Sequence, residues 1–159
     1  MKKLFILIPA FICLTFANVN AQKTNISNEE IQMIHSEIQL EKKAVFVENM
    51  QLKPEHSEAF WAIYADYEKE MSNYSLDVIK NLIAFAELEK AKLSADQLDE
   101  VAKNYFKKEK NILKIQERYF KRIQKEINVY VAVRFFQIEN VVDTQLRIAQ
   151  GVNTPLVKE

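Results

Sequence analysis

The chain has 159 residues, with 22 Lys and Arg against 22 Asp and Glu, two His, one Cys, one Gly and three Pro. That length suits one domain with a modest core, and the balanced charge argues against nucleic acid as a partner. Few Gly and Pro, with 48% hydrophobic and 28% charged residues, read as globular and nearly all helical.

The first segment reads as a signal peptide over 1–21. Lys2 and Lys3 form a basic start, Leu4 to Phe16 is apolar but too short to span a membrane, and Val19 and Ala21 suit a signal-peptidase site. Cleavage after Ala21 makes Gln22 the mature start and places the protein in the periplasm, with no transmembrane anchor. Ile12 before Cys13 is not the small residue a lipid anchor requires, and losing Cys13 leaves no thiol and no disulfide. The mature basic count falls from 22 to 20 against 22 acids, a net charge near −2.

A single helical domain spans 22–150. The first helix, 28–50, is announced by Ile26-Ser27-Asn28-Glu29-Glu30-Ile31: Ser27 caps, Glu30 completes a capping box, and Ile26 and Ile31 form a staple. Ile31, Ile38, Val45 and Leu52 recur every seven residues along it. The second, 54–90, starts at Pro54, whose missing N–H costs nothing in the first turn. Its stripe of Phe60, Tyr64, Tyr67, Met71, Tyr74, Val78, Leu82 and Phe85 steps by three and four over about 38 Å. Trp61 and Ile63 lie off that stripe, Trp61 about 100° from Phe60. They pack against another helix or subunit, or form an exposed surface that binds a client.

The third helix, 95–127, opens on a second capping box, Ser94 with Gln97, stapled by Leu93 and Leu98. Leu98, Tyr105, Ile112 and Tyr119, alongside Phe106, Leu113, Phe120 and Ile127, repeat every seven. Roughly opposite that apolar stripe run Lys103, Lys107, Lys110, Lys114, Arg118, Lys121 and Lys125, over about 33 Å. Only Glu109, Glu117 and Glu126 dilute this charge. It is either a solvated face paired with neighbouring acids, or a cationic surface for acidic or unfolded polypeptides or for a sensor domain. The fourth helix, 129–149, carries Phe135, Ile138, Val142, Leu146 and Ala149. Asn128 can cap it but has no box, which leaves open whether the third and fourth helices are continuous. Residues 151–159 read as a non-helical tail. Seven-residue spacing favours shallow-angle packing of long helices, the central two hairpinned.

Catalysis finds little support. His35 and His56 are 21 residues apart without a helix-spaced His or Cys partner, and no glycine-rich phosphate loop exists. No enzyme activity, cofactor or metal site is expected.

The stretch "VFVENMQLKPEHSEAFWAIYADY" at 45–67, with its Phe60-Trp61-x-x-Tyr64 run, resembles the Spy/CpxP family of exported helical proteins, also called LTxxQ-motif proteins. The later "RFFQIENVVDTQLR", with Arg134, Phe135, Phe136 and Glu139, is similar to the segment after that family's second motif. Leu52 and Ile127 stand as the two motif starts, with Lys53 and His56 where the first motif has Thr and Gln. The resemblance implies an all-α protein of long bent hairpins, four helices forming an antiparallel homodimer shaped like a shallow cradle. It implies an ATP-independent chaperone that binds unfolded envelope proteins under stress. The family also includes regulatory partners of envelope-stress sensor kinases and metal-responsive proteins.

Overall fold

The computed structural model describes residues 27–88 and 94–153, and the side chains of 27–77 and 94–148. The signal segment and Cys13 lie outside these residues. So do the side chains of Val78, Leu82 and Phe85 and the end of the tail. Among the described residues there are four helices and no strand: α1 Asn28–Asn49, α2 Pro54–Leu88, α3 Ala95–Glu126 and α4 Val129–Asn153. Each packs on the next in sequence, and α1 also meets α4, which closes the set around one core.

Local chemistry explains the boundaries. Ser27 Oγ accepts from Glu30 N at 3.1 Å while Glu30 Oε2 accepts from Ser27 N at 2.7 Å. Ser94 and Gln97 repeat the exchange at 3.3 and 2.9 Å. Each box satisfies two amides that a helix start leaves without partners. The chain does break between α3 and α4. Ile127 leaves the helical region at φ −122°, ψ −82°, and Asn128 Oδ1 accepts from Val131 N at 2.9 Å. At the other end α4 continues through Gly151 to Asn153, beyond the expected stop at 149. One glycine in a last turn is tolerated, whereas Pro155 disfavours helical backbone at the residue before it.

The α1–α2 turn is held from across the molecule. Gln51 has φ 46°, a left-handed conformation costing about 1–2 kcal/mol for a residue with a Cβ. Arg134 Nη1, on α4, donates to Met50 O at 2.6 Å and Gln51 O at 3.2 Å. Those contacts fix the two carbonyls that the strained turn leaves without helix partners.

The core is aromatic. Phe46 of α1, Phe60, Tyr64 and Tyr67 of α2, Tyr119 of α3 and Phe135 of α4 are all buried. Phe135 meets Tyr67 edge-on at 5.1 Å and Phe46 at 5.8 Å, joining three helices in one contact set. A ladder of ion pairs sets the antiparallel register of α2 and α3: Asp66 with Arg122, Glu70 with Arg118, and Asp77 with Lys108.

The seven-residue rows need correction. On α1 the buried residues are Ile31, His35 and Phe46, with Met50 buried at its C-cap, while Ile38 and Val45 are only half-buried. On α3 they are Ile115, Gln116, Tyr119 and Ile123, while Phe106 is 62% and Leu113 61% exposed. A straight α-helix drifts about 20° per heptad, so a strict seven-residue row slides off the face its neighbours cover. Ile63 is likewise corrected. It is 1% exposed, part of the core, and presents nothing to a partner.

Candidate functional site

All seven cations of the α3 stripe face solvent. Three have partners: Lys103 with Asp99, Arg118 with Glu70, and Lys121 with Glu117. Lys107, Lys110, Lys114 and Lys125 have no ion-pair partner among the described residues. The acids that dilute the stripe are themselves engaged: Glu109 with Arg147, Glu117 with Lys121, and Glu126 with Arg122. The segment therefore retains its positive charge. Arg118 also lies over the Tyr119 ring, 5.3 Å from its centre.

Phe106 and Leu113 border this stripe. At 100° per residue they lie about 80–100° from the middle of the lysines and about 120–140° from the core-facing Ile115, Tyr119 and Ile123. Phe120 extends the row and meets Phe136 of α4 at 6.3 Å. Beyond it, α4 exposes Val129, Tyr130, Val133, Phe136, Gln137, Asn140 and Thr144, with the charge of Arg147 on the same face paired to Glu109 of α3. An apolar belt thus runs beside the cationic stripe. The clue is the residue-by-residue step: Phe106 and Leu113 fall between the lysines and the buried row, on neither.

A second constellation is buried where the four helices meet. Lys42 Nζ of α1 lies 2.7 Å from Glu139 Oε1 of α4 and 3.1 Å from Glu68 Oε1 of α2. The Tyr67 hydroxyl donates to the same Glu139 oxygen, and the Lys42 ammonium lies 5.1 Å from the Tyr67 ring centre. One helical turn along α4, Asp143 Oδ2 accepts from Gln116 Nε2 of α3 at 3.0 Å. Burial works against the Lys42 charge, but Glu139 and Glu68 outweigh it and hold the ammonium well above its ordinary range. Burial, then Glu139, pushes the Tyr67 phenol up. Burial, then Glu139, also raises the Asp143 carboxyl above its ordinary 3.8.

The Asp143 shift has a measurable sign. A carboxyl whose folded pKa is raised contributes stability below its ordinary value and loses it as pH rises through the folded value. Asp143→Asn keeps an acceptor for Gln116 and removes the anion beside Glu139. The variant is expected to melt about 2–4 °C above the parent near pH 7.5 and level with it near pH 3.5, by circular dichroism. A gap that narrows as pH rises would contradict the assignment.

Between α1 and α2 lies an open groove of about 990 Å3, floored by Trp61 and Tyr64 and walled by Gln39, Leu40, Glu68 and Asn73 among others. Trp61 is half-buried, edge-on to Phe60 at 5.1 Å and to Tyr64 at 5.5 Å. One side of the indole thus belongs to the core and the other to the groove. The histidines sit elsewhere in structural hydrogen bonds. His35 Nε2 meets Ser75 Oγ at 2.6 Å, and burial lowers its pKa. His56 Nε2 faces Asn128 Nδ2 at 3.2 Å. Among the described residues no cluster of three or more His, Cys, Asp or Glu has the arrangement to hold a metal ion, and no helix is long and apolar enough to cross a membrane.

Comparison with protein-family models, curated proteins and solved structures finds no match. Fold and site therefore define the class: an all-helical protein of four helices with an ionic network in its core and a cationic, apolar-edged outer face.

Proposed function

We propose that this is an exported, non-enzymatic holdase that binds unfolded envelope polypeptides without nucleotide, in the manner the Spy/CpxP resemblance implies. One observation carries the reading: Phe106 and Leu113 stand exposed along the edge of a cationic stripe whose Lys107, Lys110 and Lys114 have no ion-pair partner among the described residues. Together with Phe136 of α4 these two form a contiguous apolar row rather than scattered exposed residues, and an unfolded client offers apolar side chains to cover it. The lysines attract acidic segments over a distance, and their aliphatic stems add apolar contact. Assembly as a cradle-shaped homodimer belongs to the same proposal.

The test is aggregation of an unfolded client, monitored by light scattering without ATP. The mature protein is expected to suppress scattering at near-stoichiometric ratios. Reversing Lys107, Lys110, Lys114 and Arg118 to Glu is expected to raise the required concentration about tenfold or more. Phe106→Ser with Leu113→Ser is expected to do the same without lowering Tm, because neither side chain belongs to the core. A correctly folded protein that suppresses nothing overturns the holdase reading and moves the search to a single saturable partner such as a sensor-kinase domain.

A further inference from the structure

The outer face of α1 carries in acid the pattern that α3 carries in lysine. Met33, Leu40 and Val47 stand seven residues apart and are 58%, 69% and 61% exposed. Beside them run Glu30, Glu37, Glu41 and Glu48, without an ion-pair partner among the described residues. On α3 the row is Phe106, Leu113 and the half-buried Phe120, flanked by Lys103, Lys110, Lys114 and Lys121. Lys103 and Lys121 hold only exposed acids of their own helix, weak contacts that a new partner can replace. Both flanks step by seven, four and seven residues, and both rows span about 21 Å.

The match extends to hand. Every one of these acids and lysines lies three residues before or one after a row residue, which places both flanks about 60–100° to the same side of their rows. Flanks of the same hand meet when two helices pack antiparallel and diverge when they pack parallel. With Leu40 opposite Leu113 in that orientation, Met33 faces Phe120 and Val47 faces Phe106. Glu30, Glu37, Glu41 and Glu48 then fall beside Lys121, Lys114, Lys110 and Lys103, each pair within about 3 Å along the helix axis. One copy cannot make this contact with itself. His35 with Ser75 and Lys42 with Glu68 hold α1 antiparallel to α2, and the α2–α3 ladder reverses direction again, so α1 and α3 run the same way.

We propose that a second copy of this chain covers these faces, α1 of one copy lying antiparallel on α3 of the other, rows together and acids against lysines. The contact gives the homodimer of the proposed function a definite surface and rests on that part of the reading alone. Client and second copy compete for Phe106 and Leu113, so an unfolded chain displaces the pairing.

Sedimentation velocity of the mature protein without client, up to about 200 μM, is expected to show a mass that rises above the monomer's with concentration. Glu37→Lys with Glu41→Lys is expected to weaken association about tenfold or more, and so is Lys110→Glu with Lys114→Glu. The equimolar mixture of these two variants is expected to recover it, since each then meets an opposite charge. Glu55→Lys with Glu58→Lys, at exposed positions of α2, makes the same change in net charge and is expected to leave association as in the parent. Met33→Ser with Val47→Ser tests the apolar row if a charge variant fails to fold, with the same tenfold loss expected. A monomer at every concentration would overturn the proposal and leave both rows to other partners. So would charge variants that associate like the parent, a mixture that stays monomeric, or an equal loss from the α2 pair. No client is present in this experiment, so its failure leaves aggregation suppression to its own test. A protein that pairs but suppresses nothing sinks the holdase reading alone.

Discussion

Replacing Lys42 by methionine is expected to destabilise the fold by about 3–5 kcal/mol, although methionine nearly matches its volume. The loss comes from the groups left behind. Among the described residues Lys42 is the only cation within hydrogen-bond distance of Glu139, whose side chain is 1% exposed, and it also neutralises Glu68. Without it, two carboxylates remain in a poorly solvated junction, with the Tyr67 hydroxyl donating to one oxygen of Glu139. Glu139 Oε2 already lacks a hydrogen-bond partner among the described residues. Adding Glu139→Gln to Lys42→Met is therefore expected to recover more than half of the loss, since the amide oxygen still accepts from Tyr67. Urea unfolding monitored at 222 nm of the parent, Lys42→Met, Glu139→Gln and the double variant completes the cycle. If Lys42→Met alone costs less than about 1 kcal/mol, the ammonium is solvated and the network is an ordinary surface pair. The network supplies register more than net stability. Lys42 of α1 can reach Glu68 and Glu139 together only when that helix sits in one position across the α2–α4 seam.

This network also marks the limit of what is legible in the sequence. The helix ends can be read because a cap is local chemistry. Ser27 with Glu30 and Ser94 with Gln97 are three residues apart, and each exchange forms where the spacing requires. Lys42 and Glu139 are 97 residues apart, and nothing local links them. A signal is nevertheless present. Ile31, His35, Ile38, Lys42, Phe46 and Met50 step by three and four along α1, so Lys42 occupies a core position between His35 and Phe46. Seven-residue spacing on α1 selects Ile38, Val45 and Leu52 instead, and so hides the one lysine that faces inward. The same spacing on α3 assigns Phe106 and Leu113 to the core and removes them from the surface proposed as functional. Trp61 is legible as a residue off the main stripe, but its division between core and groove depends on where α1 lies. Nothing local to 54–67 specifies that.

The adjacent rings in Arg134-Phe135-Phe136 provide the sharpest test of this face assignment. Phe135→Ala is expected to cost about 3–5 kcal/mol, and Phe136→Ala less than about 1 kcal/mol. Phe135 is 1% exposed and touches Phe46, Phe60 and Tyr67, so truncation opens a cavity bounded by α1, α2 and α4. Those neighbours cannot collapse into it. Tyr67 is tied to Glu139, and Phe46 is wedged against Tyr64 at 4.7 Å. Phe136, about 100° further round α4, is 39% exposed and meets only Phe120 among the aromatic rings described. Urea midpoints of the two variants separate the roles directly. Equal losses would mean that the outer face of α4 is covered in solution, and the apolar belt beside the lysines would then be an occupied interface. A large loss confined to Phe135 leaves that belt open, as a surface that gathers unfolded chains must be. The two adjacent phenylalanines thus divide the molecule: one closes the core around the Lys42 network, and the other belongs to the face on which the proposed function depends.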